Sequence, residues 1–219
     1  MKSRFKYKYF FWFKIILLLL ILYLGEAENV VCLLQPEYTP IGRSGLHGSG
    51  PIYFIPLETF SAAVLKRFAS FYRNKYGLSI SILPALPLPH SAFNEQRRQY
   101  VAEELIEFLQ QTARDSQLEA DSTIIALTDQ DIYIRKFNWR YAFSFRSGQI
   151  AIASLARMDH RFMGVWPIDS DWQETRLRKM VTKDIGVLYY HLPLSSHCQS
   201  PVFGRIGGPQ ELDFMGEDL

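Results

Sequence analysis

Apolar positions along this chain recur at two spacings, and the switches between them mark the elements. Pro51-Ile52-Tyr53-Phe54-Ile55-Pro56-Leu57 is a short apolar run suited to a strand buried on both faces. Phe60, Val64, Phe68, Phe71 and Tyr72 then return at helical spacing, while Lys66, Arg67, Arg73 and Lys75 fall off that stripe. Thr59 is placed to cap this helix and Gly77 to stop it. Residues 78–83 predict a second strand, and Pro84, Pro87 and Pro89 bar regular structure up to Ser91. The spacing predicts a second helix over about residues 94–112, burying Val101, Leu105, Phe108 and Leu109. Strands follow around residues 123–128, 132–134, 141–145 and 149–154. A third helix over residues 173–191 ends at Leu192-Pro193, and a short one near residues 209–216 closes the chain. A β-α-β-α-β opening followed by strand pairs gives an α/β or α+β domain, a mixed sheet flanked by helices.

Two stretches fall outside this pattern. Lys2, Arg4, Lys6, Lys8 and Lys14 form a basic, aromatic-rich start, residues 15–24 are unbroken apolar, and Gly25-Glu26-Ala27 supplies small residues for cleavage. Residues 1–27 therefore have the character of a signal peptide or an N-terminal anchor, and Val31 fits poorly before Cys32 as a lipoprotein site. Residues 28–50 are a flexible lead-in ending in a Gly/Ser-dense stretch. Residues 51–219 then form one domain. The expected location is exported, periplasmic or extracellular, with the chain either released or held at the membrane by its first segment.

Composition narrows the function classes. At 48% hydrophobic and 15% aromatic residues, the chain can fill a core, which excludes disorder. The net charge of +2 and the absence of a Lys/Arg run beyond the leader argue against a nucleic-acid partner. Only Cys32 and Cys198 are present, and in an exported chain they are a disulfide candidate, with two unrelated thiols as the alternative.

Three segments carry a resemblance. Ser91-Ala92-Phe93-Asn94-Glu95-Gln96-Arg97-Arg98-Gln99-Tyr100 is similar to the helix-opening R-x-Q-Y segment of archaemetzincins. Residues 124–133 resemble their strand ending in T-D-x-D-L-Y, and residues 148–157 resemble their G-x-x-A-V-x-S-x-x-R strand. The segments occur in that family's order, from about Pro51 onward, which implies a single metzincin-type (zincin-like) domain. The resemblance also implies that the third helix should carry H-E-x-x-H-x-x-G-x-x-H. There, two His one turn apart ligate zinc, Glu polarises the bound water and Gly turns the chain towards a third His. The matching positions read Lys183, Asp184, Val187, Tyr190 and Pro193. Only the acid survives in kind. Family members also place a Met beneath the metal and hold a second, four-Cys zinc; residues 199–203 offer no Met and two Cys cannot build the latter.

An ammonium has no lone pair to give zinc and repels it, and the Val187 side chain has no donor atom. On this reading Lys183 and Asp184 form a solvated surface pair, Val187 packs in the core, and no catalytic residue and no cofactor are expected. The protein is then an inactive metallopeptidase homologue that binds a peptide or protein, for instance by strand addition. The first alternative is an active zinc peptidase with rearranged ligands His191, His197 and Cys198; the second is a membrane-anchored structural protein. His47, His90 and His160 sit in loops and read as exposed. Asp129 and Asp131 suit either a cation site or a strand-end turn. Residues 204–208 read as a turn rather than a phosphate loop, and Ser195-Ser196-His197 lacks the spread of a nucleophile and its base.

Overall fold

The computed structural model describes residue 32, residues 34–158 and residues 170–219. The leader and His160 lie outside the described residues. Among the described residues no helix is long and apolar enough to cross a membrane.

The main sheet has five strands in the order β2-β1-β5-β8-β7. Its members are β1 (Ile52–Pro56), β2 (Ile80–Ile82), β5 (Thr123–Thr128), β7 (Ser144–Ser147) and β8 (Ile150–Ser154). All neighbours run parallel except β7, which is an antiparallel edge against β8. The interior strands β5 and β8 are buried at every position, as expected of strands covered on both faces. The pleat divides them between two cores. Ile52, Phe54, Ile125, Leu127, Ala151 and Ala153 face one side, with α1 (Ala62–Tyr76) and α3 (Ser170–Leu188). Ile55, Ile124, Ala126, Ile150 and Ile152 face the other, with α2 (Ala102–Asp115). The domain is thus a mixed sheet between helical layers, as the sequence pattern implied.

Several boundaries differ from the expected ones, among them β7, which starts at Ser144 rather than residue 141, and three have a clear local reason. Helix α1 is capped by Ser61, whose hydroxyl accepts from the Val64 N–H at 3.5 Å, rather than by Thr59; Gly77 ends it at φ 73°. Helix α2 begins at Ala102, not near Asn94. Its expected first turns are instead β3 (Phe93–Asn94) and β4 (Gln99–Val101), an antiparallel pair extended by β6 (Ile132–Tyr133). Tertiary partners override helix propensity there. Arg97 lies 3.9 Å from the Tyr133 ring centroid and donates to the Trp139 and Arg140 carbonyls, while Gln99 Nε2 donates to Asp131 and Arg140. Helix α3 stops at Leu188. His191 takes φ 54°, and the N–H groups of Tyr190 and Leu192 turn back to Ile185 O and Gly186 O.

The C-terminal segment straps α3 in place. Arg176, 1% exposed, donates to both Asp213 oxygens and to Met158 O. Helix α4 (Pro209–Phe214) follows the 195–204 loop, and Leu219 is buried against Gly186. Cys32 and Cys198 are joined in a disulfide with a Cα–Cα distance of 5.6 Å. Around it Gln35 Oε1 accepts from the Cys198 N–H, Gln199 Oε1 accepts from the Tyr38 N–H, and His197 Nε2 lies 2.7 Å from Pro36 O.

Candidate functional site

The motif helix carries its candidate residues at the edge of the sheet, where β7 runs past α3. Strand alternation puts Ser144 and Arg146 on the same face of β7. Both meet Asp184: Ser144 Oγ donates to Oδ2 at 2.7 Å and Arg146 Nη1 to Oδ1 at 2.6 Å. The Asp184 side chain is fully buried. Burial pushes its carboxyl up, and Arg146, Ser144 and Lys183 pull it the other way.

This overturns the expectation of a solvated Lys183–Asp184 pair. Lys183 is 4% exposed and Asp184 0%, because β7 and the 204–207 loop close over α3. The two side chains also go to different places. Asp184 turns to β7, whereas Lys183 lines a cavity of about 790 Å³ walled by Tyr141, Phe143, Met180 and Arg146. Burial lowers the Lys183 ammonium to about 8, helped by Arg146 and opposed by Asp184. Among the described residues, Lys183 Nζ has no hydrogen-bonding partner.

The other motif positions are spread out. Val187 is half-buried against the sheet core. Tyr190 is 9% exposed, its ring 4.9 Å from that of Tyr189, and burial raises its phenol to about 12. Pro193 is exposed on the turn beyond. This donor set does not fit zinc: one ammonium, one isopropyl group and one proline stand where imidazoles would be, and the single carboxylate is consumed by β7.

The alternative ligands do not converge either. His191 is exposed, His197 is engaged at Pro36, and the Cys198 sulfur lies in the disulfide, where it is no thiolate. Among the described residues, no group of three His, Cys, Asp or Glu side chains could hold a metal ion. Asp131 is held by Arg157 and Gln99 while Asp129 is exposed, so these two make a strand-end turn. His47 and His90 are exposed.

Sequence reasoning did not single out Ser144, Arg146 or the 204–207 loop as parts of the site. The available signal was a polar residue and a cation two apart in a strand, side by side on one face. Gly186 seats the returning chain: a Cβ there would come within 2.7 Å of Val202 Cγ1 and 2.9 Å of Leu219 Cδ2. Gly186→Ala is expected to destabilise the fold by about 1–2 kcal/mol, measurable by urea denaturation. A neutral result would mean those side-chain tips swing away freely.

A sheet with parallel strands and an antiparallel edge strand beside a motif helix is the frame of a zincin-like peptidase domain. The chain belongs to peptidase family M54, whose sequence profile matches residues 54–203. It is 28% identical over 169 residues to the archaemetzincin of Natronomonas pharaonis, covering 75% of this chain and 92% of that protein. The crystal structure of archaemetzincin from Methanopyrus kandleri shares the fold with a TM-score of 0.59 at 18% identity, over 81% of this chain and 91% of that one. A zinc-dependent peptidase from Methanocorpusculum labreanum does so with a TM-score of 0.60 at 16% identity, over 76% and 94%.

Proposed function

We propose that this M54 protein does not hydrolyse peptides and acts as an exported binding module, with its ligand in the cleft over α3. The observation that carries this reading is Lys183: a buried ammonium occupies the first ligand position and faces the cleft. Catalysis of the family type requires a Lewis acid to generate hydroxide and polarise a carbonyl. Side chains at positions 183, 187 and 193 offer no lone pair to a dication at neutral pH, and Asp184 cannot act as base while both its oxygens hold β7. A peptide or protein ligand suits a cleft bordered by the edge strand β7, whose outer side can accept an added strand. The leader-like start of the sequence supports export, and the Cys32–Cys198 disulfide agrees with an oxidising compartment.

The test is elemental analysis of the full-length protein after equilibration with zinc, alongside a broad peptide-cleavage assay. The expected result is no stoichiometric zinc and no cleavage. One tightly held zinc per chain, lost on His191→Ala or His197→Ala, would refute this reading in favour of relocated ligands.

A further inference from the structure

We infer that the cleft over Lys183 is a carboxylate site, taking a ligand in which a carboxylate is joined to an apolar group. This rests on the reading above that no metal occupies this helix. Lys183 is only 4% exposed and lines the cavity, yet its Nζ has no hydrogen-bonding partner among the described residues. Charged groups so deeply buried are almost always paired, and this one has three donors to satisfy. Asp184, its neighbour on the helix, turns its carboxylate to Ser144 and Arg146 and makes no hydrogen bond to Lys183.

Charge counting points the same way. Arg146 spends Nη1 on Asp184, and its other nitrogens make no bond among the described residues while the side chain lines the same cavity. Among the described residues, two cations thus face one space against a single buried carboxylate. Arg140 and Arg205 add positive charge at the rim. The missing partner is an anion.

The walls select which anion. Tyr141, Phe143 and Met180 line the same space as the cations, and the exposed Trp139 lines it too. A carboxylate's two oxygens match one ammonium and one guanidinium, and its apolar substituent fills the aromatic part. A volume of about 790 Å³ accommodates such a group. Two sources share this chemistry: the free C-terminus of a peptide ending in an apolar residue, and a small arylalkyl acid.

Calorimetric titration of the full-length protein tests this with four probes. They are a short peptide ending in Phe, the same peptide as its C-terminal amide, 3-phenylpropionate and 3-phenylpropionamide. The acids are expected to bind about tenfold or more tighter than their amides, the size of a charge-assisted contact. Lys183→Met should remove that preference and Lys183→Arg should keep it. Tighter binding of the peptide acid than of 3-phenylpropionate identifies a peptide terminus, and equal binding identifies a small acid; either supports the site. Equal affinity of acid and amide for the native protein, or no binding of either acid at millimolar concentration, overturns it. That comparison needs no variant to fold. A chain that holds zinc and cleaves peptides refutes the functional reading itself. A chain inert to zinc and indifferent to carboxylates refutes only this inference.

Discussion

Asp184→Ala is expected to destabilise the protein by about 3–5 kcal/mol, the usual cost of removing one partner of a buried ion pair. Among the described residues Asp184 is the carboxylate set against Arg146 and Lys183, and its two hydrogen bonds, at 2.7 and 2.6 Å, join α3 to β7. Without it, Arg146 loses its charge partner but, with its side chain 22% exposed, can turn towards water. Lys183, at 4% exposure, reaches water only through the cleft, and its pKa, already lowered to about 8, would fall further once Asp184 stops raising it. Two routes of relief, rehydration of Arg146 and proton loss from Lys183, place the expected value near the lower end. Urea denaturation at neutral pH measures it. In a Lys183→Met background the same alanine change should cost less, because the stranded ammonium is gone; the difference is the coupling between the two side chains. An Asp184→Ala protein within about 0.5 kcal/mol of the native one would show that the carboxylate's desolvation cancels its contacts.

The sheet and helices were legible because their signals are periodic. Strands β5 and β8 read as apolar runs and are buried at every position, and Gly77 ended α1 as its left-handed conformation requires. The stretch around Asn94 misled for the opposite reason. Its helical propensity is local, whereas what fixes β3 and β4 is the contact of Arg97 and Gln99 with residues about 40 positions later. The site shows the same division. That the motif positions carry no imidazole is a matter of residue identity and can be read from Lys183, Val187 and Pro193 alone. The burial of Lys183 and Asp184 depends on β7 and the 204–207 loop, which lie roughly 20 to 40 residues away in sequence. A charged doublet on a helix carries no mark of what will fold over it. Ser144 and Arg146 acquire meaning only once β7 is the edge strand facing α3.

Lys183→Met is expected to stabilise the protein at neutral pH and to lose most of that advantage in alkali. In the folded chain the Lys183 ammonium titrates near 8, against its ordinary 10.5, because burial and Arg146 disfavour the charged form more than Asp184 supports it. Below about pH 8 both folded and unfolded chains carry the proton, so the native protein bears the full cost of a buried ammonium. Between about 8 and 10.5 the unfolded chain holds a proton that the folded chain has shed. Unfolding then takes up protons, so native stability rises with pH relative to a variant without this group. Over that interval the advantage of methionine should shrink by about 3 kcal/mol. Other groups that ionise there in the unfolded chain, including Tyr72, Tyr76 and Tyr190, whose phenols burial raises in the folded protein, occur in both proteins and largely cancel. Urea unfolding free energies of the two proteins across that range give the difference directly, and parallel profiles would mean that Lys183 finds its own counter-charge in solution. A carboxylate in the cleft supplies that counter-charge as ligand. Saturating 3-phenylpropionate should therefore raise the Lys183 pKa and move the native protein's stability rise to higher pH, while leaving Lys183→Met unmoved.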